Sequence, residues 1–140
     1  MVVDDEPMVC SAVARLLDCD PRLAVCGEAE SEPQALERLR SSKADLALVD
    51  LALKEGTGLR LIKRLRRSRP KLKVLVMSMF GCPDYVTHAF VAGADGYVAK
   101  DEAVEKLLEA IALVMSGKCY LSAEMAARMA SALPRVQAAA

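Results

Sequence analysis

The 140-residue sequence predicts one α/β domain, a parallel sheet of five strands doubly wound by helices. Three observations lead there. Short apolar runs such as Leu46–Val49 and Val74–Met77 contain no polar residue, as befits strands buried on both faces. Each run gives way, after a loop, to apolar residues at helical spacing, so strand and helix alternate in units of roughly 20–28 residues. Polar residues fall at the carboxyl ends of the runs, the edge on which an open α/β sheet binds its ligands.

The elements follow in order. Val2-Val3 opens the first strand and runs into Asp4-Asp5-Glu6; Pro7 suits a first helical position, and Val9, Val13, Leu16 and Leu17 mark one helical face. Asp18-Cys19-Asp20-Pro21 stops that helix, and Leu23–Ala29 reads as the second strand. Ser31-Glu32-Pro33 starts the second helix, which turns Ala35, Leu36 and Leu39 inward. Leu46–Val49 ends on Asp50. Gly56 and Gly58 punctuate the loop after it, and Leu59, Leu61, Ile62 and Leu65 face the third helix inward until Pro70. Leu72–Ser78 is the fourth strand. A helix from about Tyr85 to Ala92 stops at Gly93. Gly96–Ala99 is the fifth strand, ending on Lys100. A helix with Val104, Leu107, Leu108, Ile111 and Val114 or Met115 as its buried stripe runs to Gly117. Ser122 can cap a short helix to about Ala132, and Pro134–Ala140 is tail or linker.

Composition excludes several function classes. Nineteen basic residues balance nineteen acidic ones, so no global field favours nucleic acid or an anionic membrane. No apolar stretch is membrane-spanning in length and MVVDDEP does not read as a signal peptide, so a cytoplasmic location without membrane attachment is expected. The five cysteines form no C-x-x-C pair and are read as reduced small hydrophobes. His88 is expected to be exposed, and the basic run of residues 63–69 to form a solvated helix face.

In a parallel sheet all carboxyl ends share one edge, so Asp4, Asp5, Asp50, Ser78 and Lys100 converge there. Each alone has a structural explanation: helix-start acids, a loop hydroxyl, a surface charge. Together they describe a site. Three carboxylates brought close repel, and a hard divalent cation with water completing its shell, Mg2+, relieves them. Mg2+, an ammonium and a hydroxyl are what a phosphoryl group requires, and the Asp50 carboxylate is the candidate nucleophile, forming an acyl phosphate.

With VVDDE at 2–6, LVDLAL at 48–53, Gly58-Leu59, Ser78 and GADGYVAK at 93–100, the chain resembles the receiver domain of bacterial two-component response regulators. The resemblance implies the flavodoxin-like receiver fold, with strand order 2-1-3-4-5, over residues 1–116. It implies that Asp50 is the phosphoacceptor fed by a sensor histidine kinase. Asp5 would bind Mg2+ with Asp4 assisting, Asp50 and the Ala52 backbone carbonyl would be further ligands, and Ala52 and Phe80 would flank the phosphate. Lys100 would pair with the phosphoryl group and Ser78 would turn its hydroxyl toward it. Tyr97, by default a surface aromatic, would swing inward and report the change on the face of the fourth helix, fifth strand and fifth helix.

Residues 117–140 are read as a linker helix and tail, because GKCYLSAEMAARM (117–129) resembles the linker of NarL/FixJ-type regulators with a LuxR-family output domain. About ten residues remain after it, too few for a helix-turn-helix, so contact with DNA is expected only through an output domain absent from this chain. A homodimer on phosphorylation is expected. Only three residues precede Asp4, which predicts a shortened first strand. The leading expectation is a switch that phosphorylates itself and has no separate substrate. The alternatives are a phosphorylation-independent docking module and a small aspartyl-phosphate phosphohydrolase; the latter carries a second acid two residues after its nucleophile, where this chain has Ala52.

Overall fold

The computed structural model describes residues 1–79 and 81–139, with side chains through residue 131. Its elements are β1 (Val2–Val3), α1 (Pro7–Leu17), β2 (Glu28–Ala29), α2 (Glu32–Arg40), β3 (Leu46–Val49), α3 (Gly58–Ser68) and β4 (Lys73–Ser78), followed by α4 (Pro83–Ala92), β5 (Gly96–Ala99), a 3-10 turn (Lys100–Glu102), α5 (Ala103–Met115), β6 (Tyr120–Leu121) and α6 (Ala123–Ala139). Local chemistry sets several boundaries. Ser31 caps α2 and Thr57 caps α3, each hydroxyl accepting an N–H three residues on, from Gln34 and Arg60. Gly93, at φ 120°, closes α4 in the left-handed conformation that glycine adopts at least cost.

The sheet order is β2-β1-β3-β4-β5-β6, with every pairing parallel. The expected five-strand order is therefore present, extended by a sixth strand. Alternating side chains of the buried strands feed two cores. On one face Val3, Val49, Val76 and Tyr97 pack under Leu39 of α2, Leu61 and Ile62 of α3 and Val86 of α4. On the other, Val2, Leu48, Leu75 and Val98 pack under Val13 of α1 and Leu107 and Ile111 of α5.

Four expectations are corrected. The second strand is Glu28–Ala29, not Leu23–Ala29: the register sets Val2 opposite Glu28, so residues 23–27 run beyond β1 and form no ladder. The buried stripe of α5 is Ala103, Leu107, Ala110, Ile111 and Val114, whereas Val104 and Met115 are exposed and Leu108 is half-buried. The 3-10 turn ahead of α5 decides this phase. The basic run is only partly a solvated face. Arg66 donates to Gly93 O, Pro70 O and Leu72 O and pairs with Asp95 at 2.9 Å, and Arg69 donates to Leu39 O and Ala44 O, so both pin distant backbone. All five cysteines are free; Cys10 is buried and the other four are exposed. Finally, α6 is bounded at Ala139, past the expected stop near Ala132; the side chains of the expected tail lie outside the described residues.

The segment after α5 belongs to the same body. Tyr120 and Leu121 of β6 pair with Gly96 and Tyr97 of β5, and Met125 of α6 is buried in the core beneath α4. No helix among the described residues is long and apolar enough to cross a membrane.

Candidate functional site

The carboxyl edge of the sheet gathers the predicted residues. Asp4 follows β1, Asp50 follows β3, Ser78 ends β4 and Lys100 follows β5. Asp4, Asp50 and Ser78 are buried, Asp5 is half-buried, and the Lys100 side chain is 9% exposed, which rules out a solvated surface charge. Lys100 Nζ donates to Asp50 Oδ2 at 3.0 Å and lies 2.9 Å from Asp4 Oδ2 and 3.5 Å from Glu6 Oε1. The other Asp50 oxygen accepts the Ala52 N–H at 3.2 Å, and Asp4 Oδ1 accepts the Glu6 N–H at 2.9 Å.

Burial raises the Asp50 pKa, Lys100 pulls it back, and the nearby Asp4 charge raises it again; the outcome is above the usual carboxylate value. For Lys100 burial disfavours the charge, but Asp4 and Asp50 outweigh it and hold the ammonium above its ordinary pKa. Lys100 is therefore a permanent cation. Burial first, then Glu28 and Asp4, push the neighbouring Cys10 thiol up to about 11, so it stays neutral.

One oxygen from each of Asp4, Asp5 and Asp50 lies within 4.8 Å of the other two. These acids and Glu6 face a single ammonium among the described residues, an excess of negative charge that Lys100 alone does not balance. Asp4 Oδ2 is also buried and, apart from its 2.9 Å contact with the Lys100 ammonium, accepts no hydrogen bond among the described residues. A buried oxygen that shares one ammonium with its neighbours, in an all-oxygen, net-negative cluster, fits a hard divalent cation such as Mg2+. The half-buried Asp5 leaves a route for water to complete the shell.

Tyr97 is inward, 1% exposed, and its phenol shares a hydrogen bond with the Ser78 hydroxyl. Burial raises the phenol pKa, so it remains protonated at neutral pH. Ala52 is exposed beside Asp50, with Thr57 bridging it in antiparallel sense. His88 is exposed on α4, and Phe80 lies outside the described residues.

Two contributors were not legible as site residues. Gly58 reads in sequence as loop punctuation, yet a Cβ on it would run into the Asp50 carbonyl oxygen, so it seats α3 directly on the backbone of the central acid. Glu6 reads as a helix-start acid, but it is a third carboxylate near Lys100. The spacing D-x₇-G and its place in the Gly58-Leu59 motif were the signals for the first, and adjacency to Asp4-Asp5 for the second.

Residues 1–112 match the family model described as response regulator receiver domain. The chain is 32% identical over 130 residues to response regulator GacA of Pseudomonas viridiflava, covering 93% of this chain and 61% of that protein. It is 33% identical over 132 residues to the DNA-binding transcriptional activator DevR/DosR of Mycobacterium tuberculosis, covering 94% and 61%. The chain thus spans about three-fifths of the length of these relatives. The crystal structure of a LuxR-family two-component response regulator from Aurantimonas sp. SI85-9A1 superposes with a TM-score of 0.90 at 30% identity, covering 97% of this chain and 96% of that one. With the family model covering most of its length and the acid cluster at the expected sheet edge, the chain belongs to the response regulator receiver domains.

Proposed function

We propose that this domain is the phosphorylation-operated switch of a two-component system, with Asp50 as its phosphoacceptor. The observation that carries the reading is Lys100 Nζ bridging Asp50 Oδ2 and Asp4 Oδ2 at 3.0 and 2.9 Å, beside Asp5 at the carboxyl edge of the sheet. An Asp50 carboxylate oxygen attacks the phosphorus of a phosphohistidine on a sensor histidine kinase. The P–N bond breaks, its electron pair stays on the histidine ring, which takes up a proton, and an acyl phosphate remains on Asp50. Asp4, Asp5, Asp50 and the Ala52 carbonyl would hold Mg2+, which supplies charge neutralisation for the transferring group.

Lys100 then exchanges its bond to Asp50 for an ion pair with the phosphoryl oxygens, and Ser78 donates its hydroxyl to them. Ser78 already shares a hydrogen bond with Tyr97, so turning it alters the surroundings of a fully buried ring. Tyr97 pairs in register with Leu121, which carries the change into β6 and the face of α4, β5 and α5. The output is control of transcription through a DNA-binding domain of the kind DevR/DosR is named for, with a homodimer favoured on phosphorylation. No separate substrate is turned over.

The test is intact mass after incubation with Mg2+ and acetyl phosphate. A gain of one phosphate that disappears in Asp50→Ala and in chelator is expected. A folded protein that gains no phosphate, or gains it equally in Asp50→Ala, would overturn the reading.

A further inference from the structure

Glu32 is the buried carboxylate that the acid cluster does not include. It stands in the first turn of α2, 3% exposed. Oε1 has no hydrogen bond and faces Arg60 Nε at 3.2 Å and Arg64 Nε at 3.4 Å, both from α3. Oε2 accepts the Thr57 N–H at 3.4 Å, and the Glu32 backbone N–H donates to Glu55 O at 3.0 Å. Between those two anchors Gly56, at φ +81°, lies against the side chain so closely that a Cβ there would run into Glu32 itself. One residue of α2 therefore holds three consecutive loop residues, 55 to 57.

That loop is the one that leaves Asp50. Thr57 bridges to Ala52, whose N–H binds Asp50 Oδ1, and Gly58 donates to Leu51 O at 3.0 Å while abutting the Asp50 carbonyl. Anything that fixes Thr57 fixes the height of Ala52 and the orientation of Asp50. A hydroxyl or an amide would suffice to hold a turn. A buried charge is a costly way to do it unless its partners offset the desolvation, and here two arginines from the opposite helix do so.

We propose that Glu32 is a positioning residue for the Mg2+ and phosphoryl site, acting through the Glu55–Thr57 loop on Ala52 and Asp50. This deepens the switch reading and rests on it. The residue touches neither cation nor phosphate; it acts as an outer partner that orients inner ligands, a role whose loss weakens metal binding while leaving every donor in place.

The test compares wild type, Glu32→Gln and Glu32→Ala in the full chain. Mg2+ affinity is read by calorimetry, Mg2+ dependence of labelling by acetyl phosphate, and amide exchange over residues 52–58 by mass spectrometry. Glu32→Ala is expected to raise the Mg2+ dissociation constant and the half-saturating Mg2+ roughly tenfold, with the labelling rate at saturating Mg2+ largely kept. Exchange over 52–58 should be faster, and Glu32→Gln, which keeps an acceptor for Thr57, should fall between. Wild-type Mg2+ curves in folded variants, or unchanged exchange over 52–58, would overturn the proposal; if Glu32→Ala does not fold, Glu32→Gln decides it by the same criteria. Wild type that binds no Mg2+ and takes no phosphate would instead sink the switch reading. Wild type that does both while the variants match it would sink the role of Glu32 alone.

Discussion

Lys100 Nζ lies 3.0 Å from Asp50 Oδ2 although fifty residues separate them in the chain. The two side chains leave the ends of β5 and β3, with β4 between those strands. Their meeting is thus a property of the sheet order, and it places a permanent cation over a carboxylate that burial would otherwise neutralise. Several measurable consequences follow from that arrangement and its supports.

Replacing Lys100 with Met removes the counter-charge and leaves Asp4 and Asp50 buried beside each other. Stability in chelator should fall by about 3 kcal/mol, as when one partner of a buried ion pair is lost. Urea unfolding with and without Mg2+ checks this. Added Mg2+ should stabilise the variant more than wild type, since the cation then supplies the missing charge.

Asp50→Asn tests the electrostatics from the other side. Because burial, and then Asp4 against the pull of Lys100, set the Asp50 pKa above its ordinary 3.8, the native state holds this proton to higher pH than the unfolded chain does. The stability it contributes is complete below 3.8 and is lost as pH rises through the raised native value. Metal-free Asp50→Asn should therefore unfold at higher urea than wild type at pH 7. The gap should close as pH is lowered through that window. A variant less stable than wild type at pH 7 would contradict this sign.

Gly58→Ala places a Cβ against the Asp50 carbonyl. Overpacking of this kind costs about 2 kcal/mol. The more specific effect is on the site: α3 must lift away from the Asp50 backbone, so the rate of labelling by acetyl phosphate should drop even under conditions where the variant is fully folded. Circular dichroism on the labelled samples separates the two effects.

Tyr97→Phe keeps the buried ring and removes the phenol that Ser78 shares. The lost hydrogen bond should cost about 1 kcal/mol. Asp50 should still take a phosphate, because the phenol is not among its reacting groups. What should shrink is the phosphorylation-dependent change in amide exchange at Leu121, the residue paired with position 97.

The sequence alone determined the alternation of strands and helices and which polar residues meet at the carboxyl edge of the sheet, for one physical reason. Strands buried on both faces must be apolar throughout, so Asp4, Asp50, Ser78 and Lys100 were legible as strand-end groups simply because they had nowhere else to sit. Resemblance to a known family then supplied the strand order and the roles expected of Tyr97 and Ala52. What only tertiary structure decided depends on partners far along the chain. Leu23–Gly27 has the composition of a strand, but a ladder requires a neighbour in register, and β1 meets only Glu28 and Ala29. Ala103 and Val104 fit helical stripes of adjacent phase, and the turn at Lys100–Glu102 selects the former. Arg66 and Arg69 look solvated until the carbonyls of Gly93, Leu72, Leu39 and Ala44 are folded around them. Gly58 and Glu32 acquire their importance in the same way: one by the absence of an atom where α3 meets Asp50, the other by a buried charge that reaches across to the loop beyond it. Local periodicity reports what a residue prefers, while contacts between distant segments are set by the packing of the whole sheet.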